Sequence, residues 1–354
     1  MTRAPTARSR AYLQAYTQQA RARQAEMDAS ATDRSDVIDF LRAAQNANTR
    51  AAYDTGIRAW IRWVDGVNAK RRDGFINAER PEECHIAAHM RYMVETCGLA
   101  MATVNTRVSA ISDSIRFITS RDYDPCAGRL VAQMRAVLTP RAKATTQRRE
   151  LKRAQLQALI TAAHADGSAI GRRDAAMFSL AFTTFLRCSE VARMNRGDVT
   201  FVTERVDGAD TRIMRVHVDR QCKNDAKRLG HERLVRMHGR DMCAATIMEA
   251  HLRDTQGAAS DPLFTQTRGG ERLATSTPGG RLTRWLKAIH AEDVAAYGFH
   301  SLRAGGATHA AQAGVAVRHI KELGNWKSDA VNVYMRADTR DRLRASDALG
   351  REAR

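Results

Sequence analysis

The positions of apolar residues divide the chain into a series of helical segments. In the first 138 residues they recur at threes and fours, as the core-facing stripe of an amphipathic helix requires. The clearest stripe runs from Tyr53 through Trp60 to Val64. No alternating strand pattern occurs in this region, so we expect a compact helical bundle. The helices predicted here cover 37–41, 49–64, 83–97, 103–119 and 130–138.

The second half of the chain contains a region with the period of a β-strand. Met214, Val216 and Val218 alternate with polar residues, which indicates a half-buried strand over 211–219. A weaker strand over 232–238 is its predicted partner, and the polar residues between the two are predicted as a hairpin tip. The expected fold is mainly α, with an N-terminal helical domain and a C-terminal α+β domain that holds a small antiparallel sheet. The other elements predicted are helices at 151–164, 172–193, 241–253 and 278–291.

These patterns predict two domains joined by a linker. Residues 1–35 carry several arginines and few acids and are predicted as a basic flexible arm. An organelle transit peptide is the alternative, although the serine bias of such peptides is absent. Residues 36–138 form the predicted helical domain, 139–150 a polar and basic linker, and 151–354 the second domain with a C-terminal tail.

The charge of the chain suggests the class of its partner. There are 57 Lys and Arg against 39 Asp and Glu, which gives a formal net charge of +18. A protein this basic is expected to bind a polyanion, and nucleic acid is the first candidate. A solvated basic surface without such a partner is the alternative.

Motif and spacing argue against several kinds of site. The six cysteines include no C-x-x-C pair, so neither a disulfide framework nor a zinc site is expected. We expect the protein to work in a reducing compartment. No P-loop, H-E-x-x-H or G-x-G-x-x-G motif is found, so we predict no metal and no nucleotide cofactor. No apolar run approaches the roughly 18 residues that span a bilayer, so we expect a soluble, non-secreted protein without a membrane partner. The cysteines are Cys84, Cys97, Cys126, Cys188, Cys222 and Cys243.

The segment 299–336 has the densest concentration of reactive side chains. Three short helical patterns follow one another here, separated by glycines at positions where helices end. His300 and Arg303 are three residues apart and share a face of the first helix. Tyr334 belongs to the last helix, which can begin at Ser328 as its N-cap. A His, an Arg, a Trp and a Tyr on successive short helices are expected to converge on a phosphate-handling site with a phenolic nucleophile.

A second group of candidates lies in the stretch TTFLRCSE. Arg187 and Glu190 are three residues apart on the predicted helix 172–193, inside an otherwise apolar run. Charges in such a run need partners. An intrahelical ion pair at a domain surface is the alternative reading of these two residues alone.

Together these motifs resemble those of the tyrosine recombinase family. The resemblance is carried by TTFLRCSE, by a lysine on the hairpin tip in QCKND, by HSLRAGGAT and by LGNWKSDAVNVYMR. The helical first domain is similar to the family's core-binding domain, which extends the resemblance to residues 36–345. Trp326, where many members have His, is more similar to the Cre branch than to the Xer or phage-integrase branches. The matching positions are Arg187, Glu190, Lys223, His300, Arg303, Trp326 and Tyr334.

The resemblance implies a role for each matching residue. Tyr334 is the expected nucleophile. Arg187 and Arg303 are the expected clamp on the nonbridging phosphate oxygens, since planar, permanently charged guanidiniums suit the extra negative charge of the transition state. The expected general acid for the leaving 5′ oxygen is Lys223 or Lys227, with Lys223 favoured because it follows the first strand more closely.

The remaining matches imply supporting roles. His300 is expected to exchange a proton and bind the phosphate, Trp326 to contact and support the site, and Glu190 to orient a neighbouring catalytic residue. The interval from Trp326 to Tyr334 is one residue shorter than is usual in the family, so the tyrosine helix is expected to start differently. Tyr297, the other late tyrosine, comes too early to match.

The implied activity is site-specific cleavage and rejoining of duplex DNA. The family acts through a 3′-phosphotyrosyl link and a Holliday junction, as a homotetramer on two target sites, with neither ATP nor a metal. The expected location is cytoplasmic and nucleoid-associated, or nuclear. Two alternatives stay open: a type IB topoisomerase, which uses similar residues as a monomer, and a catalytically inert DNA-binding protein on the same fold.

Overall fold

A computed structural model of the chain describes residues 47–72, 74–118, 123–144, 147–218, 230–240, 242–266, 270–326 and 331. The chain divides into two compact units, Met1–Thr146 and Gln147–Arg354, and the division falls within the segment 139–150. The predicted arm and the predicted segment 37–41 lie outside the described residues. Among the described helices, none has the length and apolarity needed to cross a membrane.

The described part of the first unit is helical, as its apolar spacing predicts. Trp60, Ile86 and Ile111 are among the side chains that form its buried core. The second helix continues into a π-helical turn over Tyr92–Thr96, and Gly98 follows with a left-handed φ of 62°. The α-helices in the described part of this unit are α1 (Ala47–Asn68), α2 (Glu83–Arg91), α3 (Met101–Ile118) and α4 (Arg129–Leu138).

A histidine is buried among aromatic rings in this unit. His89 is only 1% exposed, and its ring centroid lies 5.2 Å from that of Trp60, 5.0 Å from that of Trp63 and 6.3 Å from that of Tyr92. Neither ring nitrogen has a hydrogen-bond partner among the described residues. Burial, assisted by the charge of Arg107, lowers the pKa of His89 to about 3. The imidazole is therefore neutral in the folded unit at neutral pH.

The described part of the second unit combines helices with one antiparallel sheet, which confirms the expected fold class. The sheet has the strand order β1-β2-β3. The two predicted strands are β2 and β3; the sequence pattern missed β1, whose residues are mostly half-exposed and do not alternate cleanly. The strands are β1 (Val199–Val206), β2 (Ala209–Val218) and β3 (His231–Arg236). The helices are α5 (Arg153–Ala165), α6 (Ala169–Thr183), α7 (Cys188–Arg193), α8 (Ala244–Asp254), α9 (Thr277–Ala288), α10 (His300–Gln312) and α11 (Val317–Gly324).

The prediction of a single helix over 172–193 is wrong. Helix α6 ends at Thr183 and α7 begins only at Cys188. Between them Phe185 has a φ of 52°, in the left-handed region that bulky residues rarely adopt. An apolar run with helical spacing continues across this break, so the sequence pattern gave no sign of it. The break matters because it immediately precedes Arg187.

A buried carboxylate ties α6 to α9. Asp174 is fully buried and accepts hydrogen bonds from Nη2 of Arg173 at 2.7 Å, from Nε of Arg281 at 2.6 Å and from Nε1 of Trp285 at 2.8 Å. Arg173 also donates to the carbonyl of Thr265 at 2.7 Å. Two guanidiniums and an indole thus satisfy one carboxylate in the interior, which is the condition under which a buried charge is tolerated.

Two adjacent glycines let α10 approach its neighbours closely. A Cβ atom on Gly305 would overlap the carbonyl oxygen of Leu151, and one on Gly306 would overlap that of Phe182. Helix α10 carries His300 and Arg303, so the small residues of HSLRAGGAT set the depth at which these side chains lie.

Candidate active site

Arg187 and Glu190 form a hydrogen-bonded pair at the start of α7. Arg187 is the N-cap and lies outside the helix, with φ −79° and ψ 157°. Its backbone N–H donates to Oε2 of Glu190 at 2.7 Å and its Nη1 donates to Oε1 at 2.6 Å. The pair was expected on one continuous helix. Because the chain breaks before Cys188, Arg187 instead caps α7, and both its backbone N–H and its guanidinium bind the Glu190 carboxylate. The side chain of Glu190 is 6% exposed and that of Arg187 is 23% exposed, so the guanidinium reaches the surface while its partner stays inside.

The Glu190 carboxylate stays ionised in spite of its burial. Burial by itself would raise the pKa of Glu190, but the Arg187 N–H and the charges of Arg233 and Arg187 outweigh it and lower that pKa. At neutral pH the negative charge of the Glu190 carboxylate is therefore paired with the Arg187 guanidinium.

Arg303 is held inside the unit by two backbone carbonyls and an aromatic ring. Its side chain is 1% exposed. Nη1 donates to the carbonyl of Phe185, and Nη2 donates to that of Gly324 at 2.7 Å. The Trp326 ring covers the guanidinium, with its centroid 3.9 Å from Cζ. Gly324 allows this arrangement, because a Cβ atom there would overlap the Trp326 ring.

His300 opens α10 one turn before Arg303, on the same face, as the spacing predicted. The residue is exposed to solvent. Partial burial, followed by the charges of Arg303 and Arg187, lowers the pKa of His300, while Glu190 acts in the opposite direction. A neutral imidazole at neutral pH can accept a proton from a nearby acid or nucleophile.

The structure also shows an arginine that the sequence pattern did not single out. Arg233 on β3 is 2% exposed and donates from Nη1 to the carbonyl of Thr184 at 2.6 Å. Its charge is one of those that lower the pKa of Glu190. The available signal was an arginine at a core-facing strand position, two residues before Val235.

The arrangement of these five predicted residues and Arg233 suits a doubly charged transition state. Arg187, Glu190, His300, Arg303 and Trp326 are brought together with Arg233, so the described residues of this cluster include three guanidiniums and one carboxylate. Such an excess of fixed positive charge is what a phosphodiester needs as negative charge builds on its nonbridging oxygens. Lys223, Lys227, Tyr334 and the predicted C-terminal tail lie outside the described residues.

A second cluster could in principle hold a metal ion, but its surroundings disfavour one. Ligand atoms of Glu82, Cys84 and His85 lie within 4.8 Å of one another. They occupy the N-terminus of α2, where the helix dipole is positive and repels a cation. Glu82 and Cys84 are exposed, and Nδ1 of His85 already accepts the Glu82 N–H at 3.1 Å. We assign no metal to this group.

Comparison with known protein families shows which family the chain belongs to. The phage integrase family matches residues 149–340, more than half of the 354 residues. The chain belongs to the phage integrase family. It is a tyrosine-type site-specific recombinase. No curated protein sequence matches the chain at a significant level.

Solved structures of recombinases share the fold of the chain at low sequence identity. The XerH site-specific recombinase bound to palindromic difH substrate is 14% identical, with a TM-score of 0.60 over 84% of this chain and 78% of that one. A lambda integrase dimer bound to a COC′ core site is 20% identical, with a TM-score of 0.55 over 87% and 76%. The Tn1549 transposon integrase in complex with transposon right end DNA is 14% identical, with a TM-score of 0.56 over 88% and 96%. The similarity to Cre suggested by Trp326 stays a prediction.

Proposed function

We propose that this recombinase cleaves duplex DNA at a specific site through Tyr334, forms a 3′-phosphotyrosyl link with a free 5′ hydroxyl, and rejoins exchanged strands through a Holliday junction. The observation that carries the proposal is the convergence of Arg187, His300 and Arg303, from two separate stretches of sequence, on one positively charged centre. The family match to phage integrases favours strand exchange over simple topoisomerase relaxation.

Each side chain has a chemical task in this proposal. Arg187 and Arg303 neutralise the nonbridging oxygens, with Glu190 fixing the orientation of Arg187. His300, neutral at rest, accepts the phenolic proton or binds the phosphate as Tyr334 attacks. Lys223 protonates the leaving 5′ oxygen, with Lys227 as the alternative. Trp326 supports Arg303 by covering its guanidinium.

Burial of Arg303 adds a requirement to this scheme. A 1% exposed guanidinium can serve a phosphate only if the phosphate reaches it or if Trp326 and the surrounding backbone shift. Each arginine offers five N–H donors, so the bonds to Phe185 and Gly324 and a contact to phosphate are chemically compatible. DNA binding is therefore expected to alter the packing around Trp326.

The partners follow from the same proposal. Double-stranded DNA target sites are the substrate, in keeping with the net charge of +18. We propose a homotetramer on two sites as the synaptic form, and a cytoplasmic, nucleoid-associated or nuclear location. Mass measurement of the protein on DNA carrying two target sites tests the assembly, since four protomers per pair of sites are expected.

Recovery of covalent protein–DNA adducts tests the chemistry. The purified protein is incubated with a library of genomic DNA fragments and denatured in SDS, and the DNA that remains linked to protein is sequenced. The proposal expects adducts that share one sequence, with the protein on the 3′ phosphate. Tyr334→Phe abolishes them, whereas Tyr297→Phe, the matched late tyrosine whose hydroxyl accepts a hydrogen bond from Gln155, leaves them intact. An adduct that survives Tyr334→Phe excludes Tyr334 as nucleophile, and DNA binding without any adduct favours an inert DNA-binding protein.

A further inference from the structure

The third strand buries a charge where the alternation of a strand would allow an apolar residue. Arg233 is 2% exposed, while the next residue, Leu234, is 54% exposed. Val235 is buried on the same face as Arg233. A shift of one residue in register would bury Leu234 and expose Arg233, but it would also expose Val235 and turn Glu232 and Arg236 inward. The observed register therefore buries a single charged residue of this strand, and the groups that Arg233 contacts make its burial tolerable.

Arg233 holds the backbone at the break between α6 and α7. Its Nη1 donates to the carbonyl of Thr184 at 2.6 Å, and the next carbonyl, that of Phe185, accepts a hydrogen bond from Arg303. Arg233 on β3 and Arg303 on α10 therefore bind two consecutive backbone carbonyls, those of the second and third residues before Arg187. A left-handed backbone at Phe185 persists only where the surroundings determine it.

Arg233 also acts on the carboxylate that orients Arg187. Among the described residues, the charged and titratable groups that act on Glu190 are Arg187 at the start of α7, Arg233 on β3 and His300 on α10. Glu190 in turn binds both the backbone N–H and the guanidinium of Arg187. Arg233 thus reaches Arg187 by two routes, through the Thr184 carbonyl and through the Glu190 carboxylate.

We propose that Arg233 is a positioning residue for Arg187, which fixes both the backbone that precedes Arg187 and the carboxylate that orients its guanidinium. The proposal rests on the proposed function, since it assumes that Arg187 binds the scissile phosphate. Arg233 itself does not touch the DNA in this scheme. Its contribution is to hold Arg187 in a productive geometry before the phosphate arrives.

The first test compares Arg233→Met with Arg236→Met. Both residues lie on β3, but Arg236 is on the exposed side of the strand, so its variant controls for the loss of one positive charge. At saturating DNA, Arg233→Met is expected to form the covalent adduct about 100-fold more slowly, as misplacement of a catalytic group by about 1 Å would produce. Its DNA affinity stays near that of Arg236→Met, and the two cleavage rates are compared at a temperature below the melting temperatures of both variants. A wild-type rate of cleavage in Arg233→Met overturns the proposal.

The second test asks whether Arg233 acts through Arg187. If it does, Arg187→Lys with Arg233→Met cleaves no more slowly than Arg187→Lys alone, because residues that act as one unit are not additive. Independent action makes the two losses multiply, and that result overturns the proposal. In Arg233→Met the acid limb of the cleavage rate is also expected to move to higher pH, since Glu190 loses a cation that keeps it ionised. A merely structural loss lowers the rate equally at every pH.

A variant that fails to fold does not end the test. Arg233→Lys keeps a cation beside Glu190 but lacks the planar fork of donors, so it is expected to fold and to cleave faster than Arg233→Met but more slowly than the wild type. A wild-type rate and pH profile for Arg233→Lys contradict a role for the guanidinium geometry. If the wild type itself forms no adduct, the proposed function fails and this proposal fails with it. If the wild type forms the adduct and Arg233→Met does so equally well, only this proposal fails.

Discussion

The guanidinium carbon of Arg303 lies 3.9 Å from the centroid of the Trp326 ring. The ring is 8% exposed and also packs against Phe185, with centroids 5.9 Å apart. An indole thus joins the carbonyl-bound arginine to the strained residue between α6 and α7. An indole cannot exchange protons near neutral pH, so a supporting contact to Arg303 is the contribution that we expect from Trp326.

Substitutions of Trp326 separate ring stacking from hydrogen bonding. Trp326→Phe keeps an aromatic face for Arg303 and loses the indole N–H and the second fused ring, so adduct formation is expected to stay within a few-fold of the wild type. Trp326→Ala removes the cation–π contact, worth about 2 kcal/mol when desolvated, and is expected to slow adduct formation by roughly ten- to thirtyfold. Rates measured at saturating DNA check this prediction. Equal losses in the two variants would contradict this prediction, because they would show that a phenyl face over Arg303 contributes nothing.

Replacement of Gly306 by alanine is expected to destabilise the second unit. A Cβ atom there overlaps the Phe182 carbonyl, so α10 must move, at a cost of about 1–3 kcal/mol. Gly279 in α9 is the matched control, because nothing lies within 4 Å of a Cβ atom at that position. Gly279→Ala is expected to stabilise the protein by roughly 0.5–1 kcal/mol. Denaturant titrations of the two variants measure both effects, and equal midpoints would contradict the close packing of α10.

Loss of the buried carboxylate between α6 and α9 is expected to be severe. Asp174→Asn leaves Arg173 and Arg281 without their anion in the interior, which costs about 3–5 kcal/mol. The control is Asp254→Asn, which breaks a half-exposed pair with Arg172 at 3.6 Å and is expected to cost less than about 1 kcal/mol. Free energies of unfolding from urea titrations test the difference. Similar small losses in both variants would show that the network contributes little.

The first unit is expected to lose stability in mild acid because of His89. Its pKa is about 3 in the folded unit and 6.5 in the unfolded chain, so the unfolded state binds more protons between these values and stability falls as pH drops below 6.5. Because of this histidine, the free energy of unfolding of the first unit is expected to be roughly 2 kcal/mol lower at pH 5 than at pH 7. His89→Leu should remove that loss. Fluorescence of Trp60 and Trp63 during urea titrations at the two pH values provides the measurement, and a pH dependence unchanged by His89→Leu would contradict it.

Cleavage is expected to proceed unchanged in EDTA. In the proposed mechanism the negative charge of the transition state is met by arginine side chains, and the phosphotyrosyl link conserves the energy of the broken bond. Adduct yield with and without chelator, on the same DNA, is the measurement. A chelator-sensitive yield that returns on addition of magnesium would show that the proposed assignment of charge neutralisation to Arg187 and Arg303 is incomplete.

The sequence predicted the fold class and grouped the candidate residues well, because both depend on local signals. Apolar spacing located the helices of both units, and short motifs around Arg187, His300 and Arg303 predicted side chains that the fold does bring together. Roles for these residues, and for Tyr334 and Lys223, stay predictions. The two domain boundaries also stay predictions of the pattern.

What the sequence pattern missed depends on contacts between distant segments. The break at Phe185 lies within a continuous apolar run, and it is held by Arg233 and Arg303, which lie about 50 and 120 residues further along. Arg233 itself was overlooked because an arginine in a weak strand is usually solvated. Only the fold shows that it points inward.

Phe185 has consequences for how this position can evolve. Its backbone conformation is one that glycine adopts most easily, whereas its ring fills the small cluster with Trp326, Ala307 and Ile320. Glycine at this position would remove the strain of the positive φ but leave a cavity in the cluster. A large residue that favours helix would fill the cluster but would favour a continuous helix across the break. No single residue type is best for both demands, so a change at this position is tolerated only with a matching change in its ring partners. The position and its neighbours are therefore expected to drift together among related sequences.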